Sequence, residues 1–146
     1  MPYLFSSILA ALLWLVSLPL SAAVLQVFIT GLDNTQGYIM VAVYDSEATF
    51  LKEDGRIAEA KLPAADAQEG HVVTTFEKMK LGKKYAIAVF HDANSNQVLD
   101  KGLFGIPKEG YGFSNNARGW FGPPSFDDAA FLLEQDNKAI SLYLSY

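Results

Sequence analysis

The segment 91–100, with the sequence HDANSNQVLD, carries the side chains of this chain that are best suited to chemistry. Oxygen-bearing side chains occupy alternate positions, and a main-chain carbonyl falls in the same pattern. Alternate oxygen ligands on a tightly curled loop are how a short segment wraps Ca²⁺, as in the first part of an EF-hand loop. The sequence therefore predicts a Ca²⁺ site with the ligands Asp92, Asn94, Asn96, the carbonyl of Val98, and Asp100.

This Asp/Asn loop, residues 92–100, departs from an EF-hand loop at two positions. Gln97 stands where an EF-hand has glycine, and Leu103 stands where it has a bidentate glutamate. With two carboxylates the loop alone is expected to bind Ca²⁺ weakly, unless Glu109 or another acid completes the coordination shell. The alternative is a solvated loop stabilised by Asx turns without an ion. Mg²⁺ is less suited, because it needs near-ideal octahedral geometry and retained waters.

The adjoining Gly/aromatic segment, residues 102–126, holds six of the 11 glycines, three of the six prolines and six aromatic residues. No regular period runs through it, which predicts a long ordered loop rather than a strand pair, and such loops are usually functional. Its aromatic side chains are expected either to line a recess beside the Asp/Asn loop or to plug one end of the fold. The candidate ligand-binding residues are His91, Glu109, Tyr111, Ser114, Asn115, Asn116 and Trp120.

Some of these side chains are of types that enzymes use. His91 and Ser114 belong to the residue types of a catalytic triad, but no Gly-x-Ser-x-Gly elbow surrounds the serine. With two histidines in the chain, a transition-metal site with several imidazoles is excluded. His91, Asp100 and Glu109 are candidate catalytic groups for a hydrolase. Because no motif with a defined mechanism is present, we expect a binding module rather than an enzyme.

Short strands are the elements that must position these residues. β-branched and aromatic runs between turn clusters predict strands at 24–30, 38–44, 58–62, 72–76, 85–91, 129–133 and 139–144. The first two are expected to form a hairpin, the last two to flank a turn at 135–137, and Ser46 to cap two helical turns over 46–52. The pattern predicts a single antiparallel β-sandwich of about seven strands, immunoglobulin-like or transthyretin-like. The run Leu81-Gly-Lys-Lys-Tyr85 resembles the tyrosine corner of such sandwiches.

Composition limits the class of protein. The 146 residues fit one domain, and the absence of cysteine excludes disulfides and thiolate zinc sites. The formal net charge of −5 offers no electrostatic footprint for a phosphate backbone, so nucleic-acid binding is not expected.

The N-terminal residues 1–23 contain no charged side chain, and their apolar run, residues 8–20, contains Pro19 and is followed by Ser21, Ala22 and Ala23. This pattern is typical of a secretory signal peptide cleaved after Ala23, although lysine and arginine are missing at its start. The alternative is an uncleaved membrane anchor. We predict a signal peptide at 1–23 and one domain at 24–146. An exported protein without disulfides is ordinary in a bacterial periplasm, so we expect a periplasmic location, with the extracellular medium as the second choice. Membrane contact is expected only through the signal peptide before its cleavage.

The run HDANSNQVLDKGLFGIPKEGYGFSNNARGWFGPPSFDDAAF resembles the signature of a bacterial family catalogued as domain of unknown function 2141. The family pattern contains H-D-x-N-x-N-x-x-L-D, then G-I-P-x-E-G-Y-G-F-S-N-N and G-P-P-x-F. The resemblance extends upstream over 37–44 and 85–90, and it implies an exported bacterial protein without implying an activity. The matching residues include Asp92, Asn94, Asn96, Asp100, Gly105, Pro107, Glu109, Gly112, Phe113, Ser114, Asn115 and Asn116.

Together these features predict an exported cell-envelope binding module whose Asp/Asn loop holds Ca²⁺ and organises the Gly/aromatic segment. Its expected target is a glycan, a peptide or another envelope protein. One alternative is a hydrolase that acts on an envelope polymer. The other is a structural assembly subunit whose loops cap the sandwich.

Overall fold

A computed structural model describes residues 22–146, which form eight strands, one short α-helix and several single 3₁₀ turns. Among these residues, no helix is long and apolar enough to cross a membrane. The predicted signal peptide lies outside the described residues, except that Ala22 and Ala23 begin the first strand. The elements are β1 (Ala22–Thr30), β2 (Tyr38–Tyr44), β3 (Ala58–Pro63), β4 (His71–Lys80), β5 (Lys84–Asp92), β6 (Tyr111–Phe113), α1 (Phe126–Ala129), β7 (Phe131–Leu132) and β8 (Asn137–Tyr143).

The strands form two sheets that pack face to face, which confirms the predicted sandwich. One sheet has the order β4-β1-β8 and the other the order β3-β2-β5-β6, with β7 paired to the start of β5. Alternate residues of β1 point inward, because successive side chains of a strand face opposite sides. Leu25, Val27 and Ile29 of β1 belong to the same buried cluster as Ile39 and Ile87 of the facing sheet.

The strand pairing differs from the sequence-based expectation in three respects. β1 and β2 do not form a hairpin: β1 pairs with β4 and β8, while β2 pairs with β3 and β5. The connection 31–37 crosses between the sheets, because both strands are apolar on one face and each must cover the other. The sandwich is also not wholly antiparallel, since β8 lies parallel to β1. β7 and β8 pair with different strands and do not form a hairpin.

The Gly/aromatic segment covers the outer face of β5, which is therefore buried on both sides. It contains the short strand β6, which pairs with β5, so the expectation of a loop without a strand is wrong there. β6 and α1 contribute Phe113 and Phe126 to a second buried cluster. Phe50 extends this cluster with edge-on contacts to both rings. This covering explains why the most hydrophobic strand lacks a polar face.

The predicted helix over 46–52 is shorter than expected. A single 3₁₀ turn spans Glu47–Thr49, and the Ser46 side chain accepts a hydrogen bond from the Ala48 N–H, as an N-cap does. Leu51 then adopts a left-handed φ of 62°, which ends any helical path.

The predicted tyrosine corner is present where the chain passes from β4 in one sheet to β5 in the other. The buried Tyr85 hydroxyl accepts a hydrogen bond from the Lys80 N–H at 3.0 Å and donates to the Lys80 carbonyl at 3.3 Å. One phenol thus satisfies both main-chain groups of the last residue of β4 and fixes the angle between the sheets.

We expect Tyr85→Phe to lower the free energy of unfolding by about 1–2 kcal/mol, because it leaves both main-chain groups of Lys80 without this partner. Urea unfolding of the variant measures the loss. Tyr143→Phe is the matched control, since the Tyr143 side chain is exposed and its substitution should change stability by less than about 0.5 kcal/mol. Equal stability of the two variants would contradict a structural role for the corner.

Candidate functional site

The Asp/Asn loop leaves the end of β5 and curls around the side chain of Asp92. This carboxylate is fully buried, and its two oxygens accept the N–H groups of Asn96 and Gln97, each at 2.9 Å. Asp92 therefore holds the loop from inside. Each oxygen retains one further lone pair for an ion.

The curl of the loop depends on left-handed backbone at two residues that are not glycine. Ser95 has φ 62° and Gln97 has φ 65°. Gln97 stands at the position where an EF-hand loop uses glycine for its sharp turn. The turn is therefore kept with glutamine in the place of glycine, although a residue with a Cβ has a steric cost in this conformation.

Two of the side chains predicted as ligands, Asn94 and Asn96, contact a third, Asp100. The Asn94 amide nitrogen donates to one Asp100 carboxylate oxygen at 2.6 Å, and the Asn96 amide nitrogen lies 3.1 Å from both oxygens. The amide oxygens of Asn94 and Asn96 accept N–H groups of Asn96 and Val98 as Asx turns. Within residues 22–146, no three acidic or histidine side chains cluster as a metal site would need. An ion here would depend on amide oxygens as well as carboxylates.

Glu109 joins the Asp/Asn loop to the Gly/aromatic segment. It is 8% exposed, and its two oxygens accept the N–H of Ala93 at 3.2 Å and the N–H of Asp100 at 3.0 Å. The Lys108 N–H donates to the Asp100 carbonyl at 2.8 Å beside it. The Glu109 carboxylate thus links the beginning of the loop to its end. It does not reach the Asn94–Asp100 contact in this arrangement.

His91 is a buried positioning residue. Its Nε2 lies 2.7 Å from the Gln36 carbonyl, which can only accept, so Nε2 carries the proton. Nδ1 then accepts from the Tyr146 hydroxyl, also at 2.7 Å. Both ring nitrogens are occupied, and the ring is fully buried, so His91 does not meet Asp100 and Glu109 as a free catalytic base would.

Tyr146 is a site residue that sequence reasoning missed. Burial raises its pKa to about 12, and the N–H that Asp33 donates to its oxygen acts in the opposite direction. The hydroxyl therefore stays protonated and donates to His91. Gly110 makes room for the ring, because a Cβ there would lie 2.4 Å from the Tyr146 ring carbon that bears the hydroxyl. No motif links position 146 to the loop, so the sequence carries no signal for this contact.

Ser114, Asn115 and Asn116 hold the fold together at some distance from the Asp/Asn loop. The buried Ser114 hydroxyl accepts the Ile87 N–H, four residues and about 13 Å along β5 from His91. Asn115 donates to the carbonyls of Asp128 and Ala130, and the Asn116 side-chain oxygen accepts the Tyr143 N–H. The structure therefore does not bring Ser114 and His91 together.

The aromatic residues of the segment divide into two groups. Phe113 and Phe126 are buried, and Tyr111 packs against Phe113. Trp120 and Phe104 are 95% and 98% exposed and line neither a core nor a cavity. The expectation that aromatic side chains line a recess beside the loop is wrong, because the recess there, about 490 Å³, is polar. It is lined by Gln36, Ala93, Asn94, Asp100, Lys101, Lys108 and Glu109.

The model of one bacterial protein family, DUF2141, described as an uncharacterised protein conserved in bacteria, matches residues 27–141. The chain belongs to this family. The match contains the Asp/Asn loop, Glu109 and the whole Gly/aromatic segment of this DUF2141 protein, while Tyr146 lies beyond it. Comparison with curated proteins and with solved structures finds no match.

We expect Glu109→Gln in this DUF2141 protein to destabilise the fold by about 1–3 kcal/mol, because an amide NH₂ would face one of the two N–H donors. Hydrogen exchange of the Ala93 and Asp100 amides should accelerate with it. Glu59→Gln is the matched control, since it removes the same charge from an exposed side chain. A Glu109→Gln protein as stable and as protected as the control would refute the linking role of this carboxylate.

Proposed function

We propose that this DUF2141 protein is an exported, non-catalytic binding module of the bacterial cell envelope, and that its Asp/Asn loop binds one Ca²⁺ ion. The observation that carries the proposal is the curl of the loop: Gln97 adopts the left-handed backbone of an EF-hand glycine, with φ 65°. Asp92 at the first position and Asp100 at the ninth are joined through Asn94 and Asn96.

The ion would replace two N–H donors on Asp100. A half-turn of the Asn94 and Asn96 amides would exchange nitrogen for oxygen at the points that now face this carboxylate. The Asn96 N–H would keep Asp92 as its acceptor, while the Val98 N–H would lose its partner. Because Ca²⁺ competes with existing hydrogen bonds and meets two carboxylates, we expect affinity in the range of extracellular modules, about 10⁻⁴–10⁻³ M.

Two further observations support a binding role over a catalytic one. His91 and Ser114 are each buried and hydrogen-bonded to other parts of the fold, so this candidate base and this candidate nucleophile are not paired with each other. Glu109 couples the ion-binding loop to the Gly/aromatic segment through the Asp100 N–H. Ca²⁺ at the loop would therefore stiffen the segment that carries the exposed side chains.

The calcium site is tested by thermal unfolding in EDTA and in millimolar Ca²⁺. At a free concentration ten times Kd, binding contributes about 1.4 kcal/mol and should raise the Tm by about 4–7 °C. Asp100→Asn should lose most of this shift, because it removes one of two carboxylates from the loop. Asp54→Asn, which removes an exposed acid far along the chain, should keep it. A Tm that is independent of Ca²⁺ in the unsubstituted protein would remove the ion from the proposal.

Export is supported by the uncharged apolar segment that ends in Ser21, Ala22 and Ala23. We expect the protein recovered from the periplasm of a Gram-negative host to begin at Val24. The new α-amino group can keep the hydrogen bond that the Val24 nitrogen now donates to the Asp136 carbonyl at 2.7 Å. Intact mass decides the point, and a recovered chain that retains Met1 would show that the segment is an anchor.

A further inference from the structure

The most exposed large apolar side chains of residues 22–146 are confined to one part of the chain. Six of them have exposed fractions of 60% or more, and all six lie between residues 98 and 121. No other large apolar side chain of the described residues exceeds 55%. Exposed apolar side chains concentrated in one segment favour contact with another molecule, whereas apolar side chains scattered singly need no explanation. The six are Val98, Leu103, Phe104, Ile106, Trp120 and Phe121.

The first tip, residues 102–106, is a closed turn. The Gly102 N–H donates to the Ile106 carbonyl at 2.7 Å, and an isolated bridge pairs Lys101 with Pro107 below it. Phe104 takes a left-handed φ of 61°, which costs free energy in a residue with a Cβ. The chain therefore holds this phenylalanine out in water with 98% of its surface exposed.

The second tip, residues 119–122, is a tighter turn. A Cβ on Gly119 would lie 2.2 Å from the Gly122 carbonyl oxygen, so the backbone folds back on itself there. Trp120 and Phe121 occupy the bend, with 95% and 103% of their surfaces exposed. Both tips thus present aromatic side chains on backbone that is constrained beneath them.

Residues close to each tip contact the same short stretch of chain, residues 145–146. Arg118, at the base of the second tip, donates to the Ser145 hydroxyl at 2.5 Å. Gly110, just beyond the first tip, lies under the ring of Tyr146, the next residue along. The segments that carry the two tips are therefore anchored to adjacent residues, Ser145 and Tyr146.

Basic residues flank both tips, although the protein is acidic. Lys101 and Lys108 stand on either side of the first tip, and Arg118 precedes the second. The acid within residues 101–126 is Glu109, whose oxygens face inward to main-chain N–H groups. The stretch carries a net charge of +2 in a chain of net charge −5. Asp100, which adjoins it, is held by the amides of Asn94 and Asn96.

We propose that the two tips insert into the surface of a lipid bilayer that contains anionic phospholipids. This inference rests on the proposed function, because it names the target of the binding module. It goes beyond the expectation that only an uncleaved signal peptide touches a membrane. Aromatic and aliphatic side chains enter the interfacial layer, and the basic residues at the tip bases lie level with the phosphate groups. A protein partner would need pockets for these side chains and acidic residues to match the three cations. An anionic bilayer supplies both an apolar layer and negative phosphate groups.

Trp120 gives a direct optical signal for the test. The chain has two tryptophans, and Trp14 lies in the predicted signal peptide, so Trp120 is the remaining one after cleavage. The exported protein is mixed with vesicles of phosphatidylcholine containing about one quarter phosphatidylglycerol. We expect the Trp120 emission to shift to shorter wavelength and to be quenched by brominated lipid. Phosphatidylcholine vesicles should bind the protein about a hundredfold more weakly, because each of the three basic residues near an anionic surface contributes about a fivefold gain.

Three double variants distinguish insertion of the tips from nonspecific hydrophobic adsorption. Phe104→Ser with Phe121→Ser should weaken vesicle binding by about tenfold or more, because it removes two side chains from the lipid. Ile57→Ser with Val73→Ser removes exposed apolar side chains from the strand region and should bind as the unsubstituted protein does. Lys101→Gln with Lys108→Gln should weaken binding to anionic vesicles by about thirtyfold and abolish most of its salt dependence.

The inference is overturned if the tip variants bind vesicles as well as the unsubstituted protein. It is equally overturned if the protein binds no vesicles and instead dimerises through the tips, with the dimer lost in the Phe104→Ser, Phe121→Ser variant. A monomer that ignores vesicles would point to a protein or glycan target and would also refute it. The same samples are measured in EDTA and in Ca²⁺, so loss of vesicle binding with a retained Ca²⁺-dependent Tm shift separates failure of this inference from failure of the calcium site.

Discussion

The burial of β5 on both faces is the constraint on which the rest of the structure depends. Its inner face packs in the core between the sheets, and its outer face packs under α1 and Phe50, in a cluster that the neighbouring strand β6 extends with Phe113. A strand without a polar face cannot border water, so the Gly/aromatic segment has to return across it. That return brings Glu109 beside the end of β5, where the Asp/Asn loop begins. The loop and the segment are therefore parts of one unit.

The hydrogen bonds of this unit occupy its buried polar side chains. Ser114 ties β6 to the main chain of β5 and to Ala129, and His91 links Gln36 to Tyr146. Buried polar groups that are fully satisfied specify one arrangement of the backbone around them. What the unit offers to solvent is different in kind: a polar recess at the loop and aromatic side chains on the two closed turns.

Local patterns predicted the parts of the fold that depend on local physics. Strand positions, the Ser46 cap and the tyrosine corner follow from β-propensity, capping chemistry and a short spacing along the chain. The pairing partners of the strands could not be predicted from local patterns, because an apolar face shows that a strand is buried and not which strand lies beside it. The β1–β8 pair, for example, joins residues 113 positions apart. The short β6 was missed because three residues carry no usable period. In the candidate site, the spacing of the loop oxygens could be read from the sequence. The contact between Tyr146 and His91 could not, because only the folded chain brings these two residues together.

For the export proposed above, the position of β1 has a consequence for the order of events. β1 is the central strand of its sheet, and β8 joins it only after Asn137 has been made. Pairings this distant in sequence form slowly, because a long chain must be closed before they contribute. Until then the sheet that contains Ala22 and Ala23 is incomplete, and its first strand is still extended and open. Under that proposal, a chain that needs its last strand to protect its first would stay in the unfolded state that both a translocation channel and a signal peptidase accept.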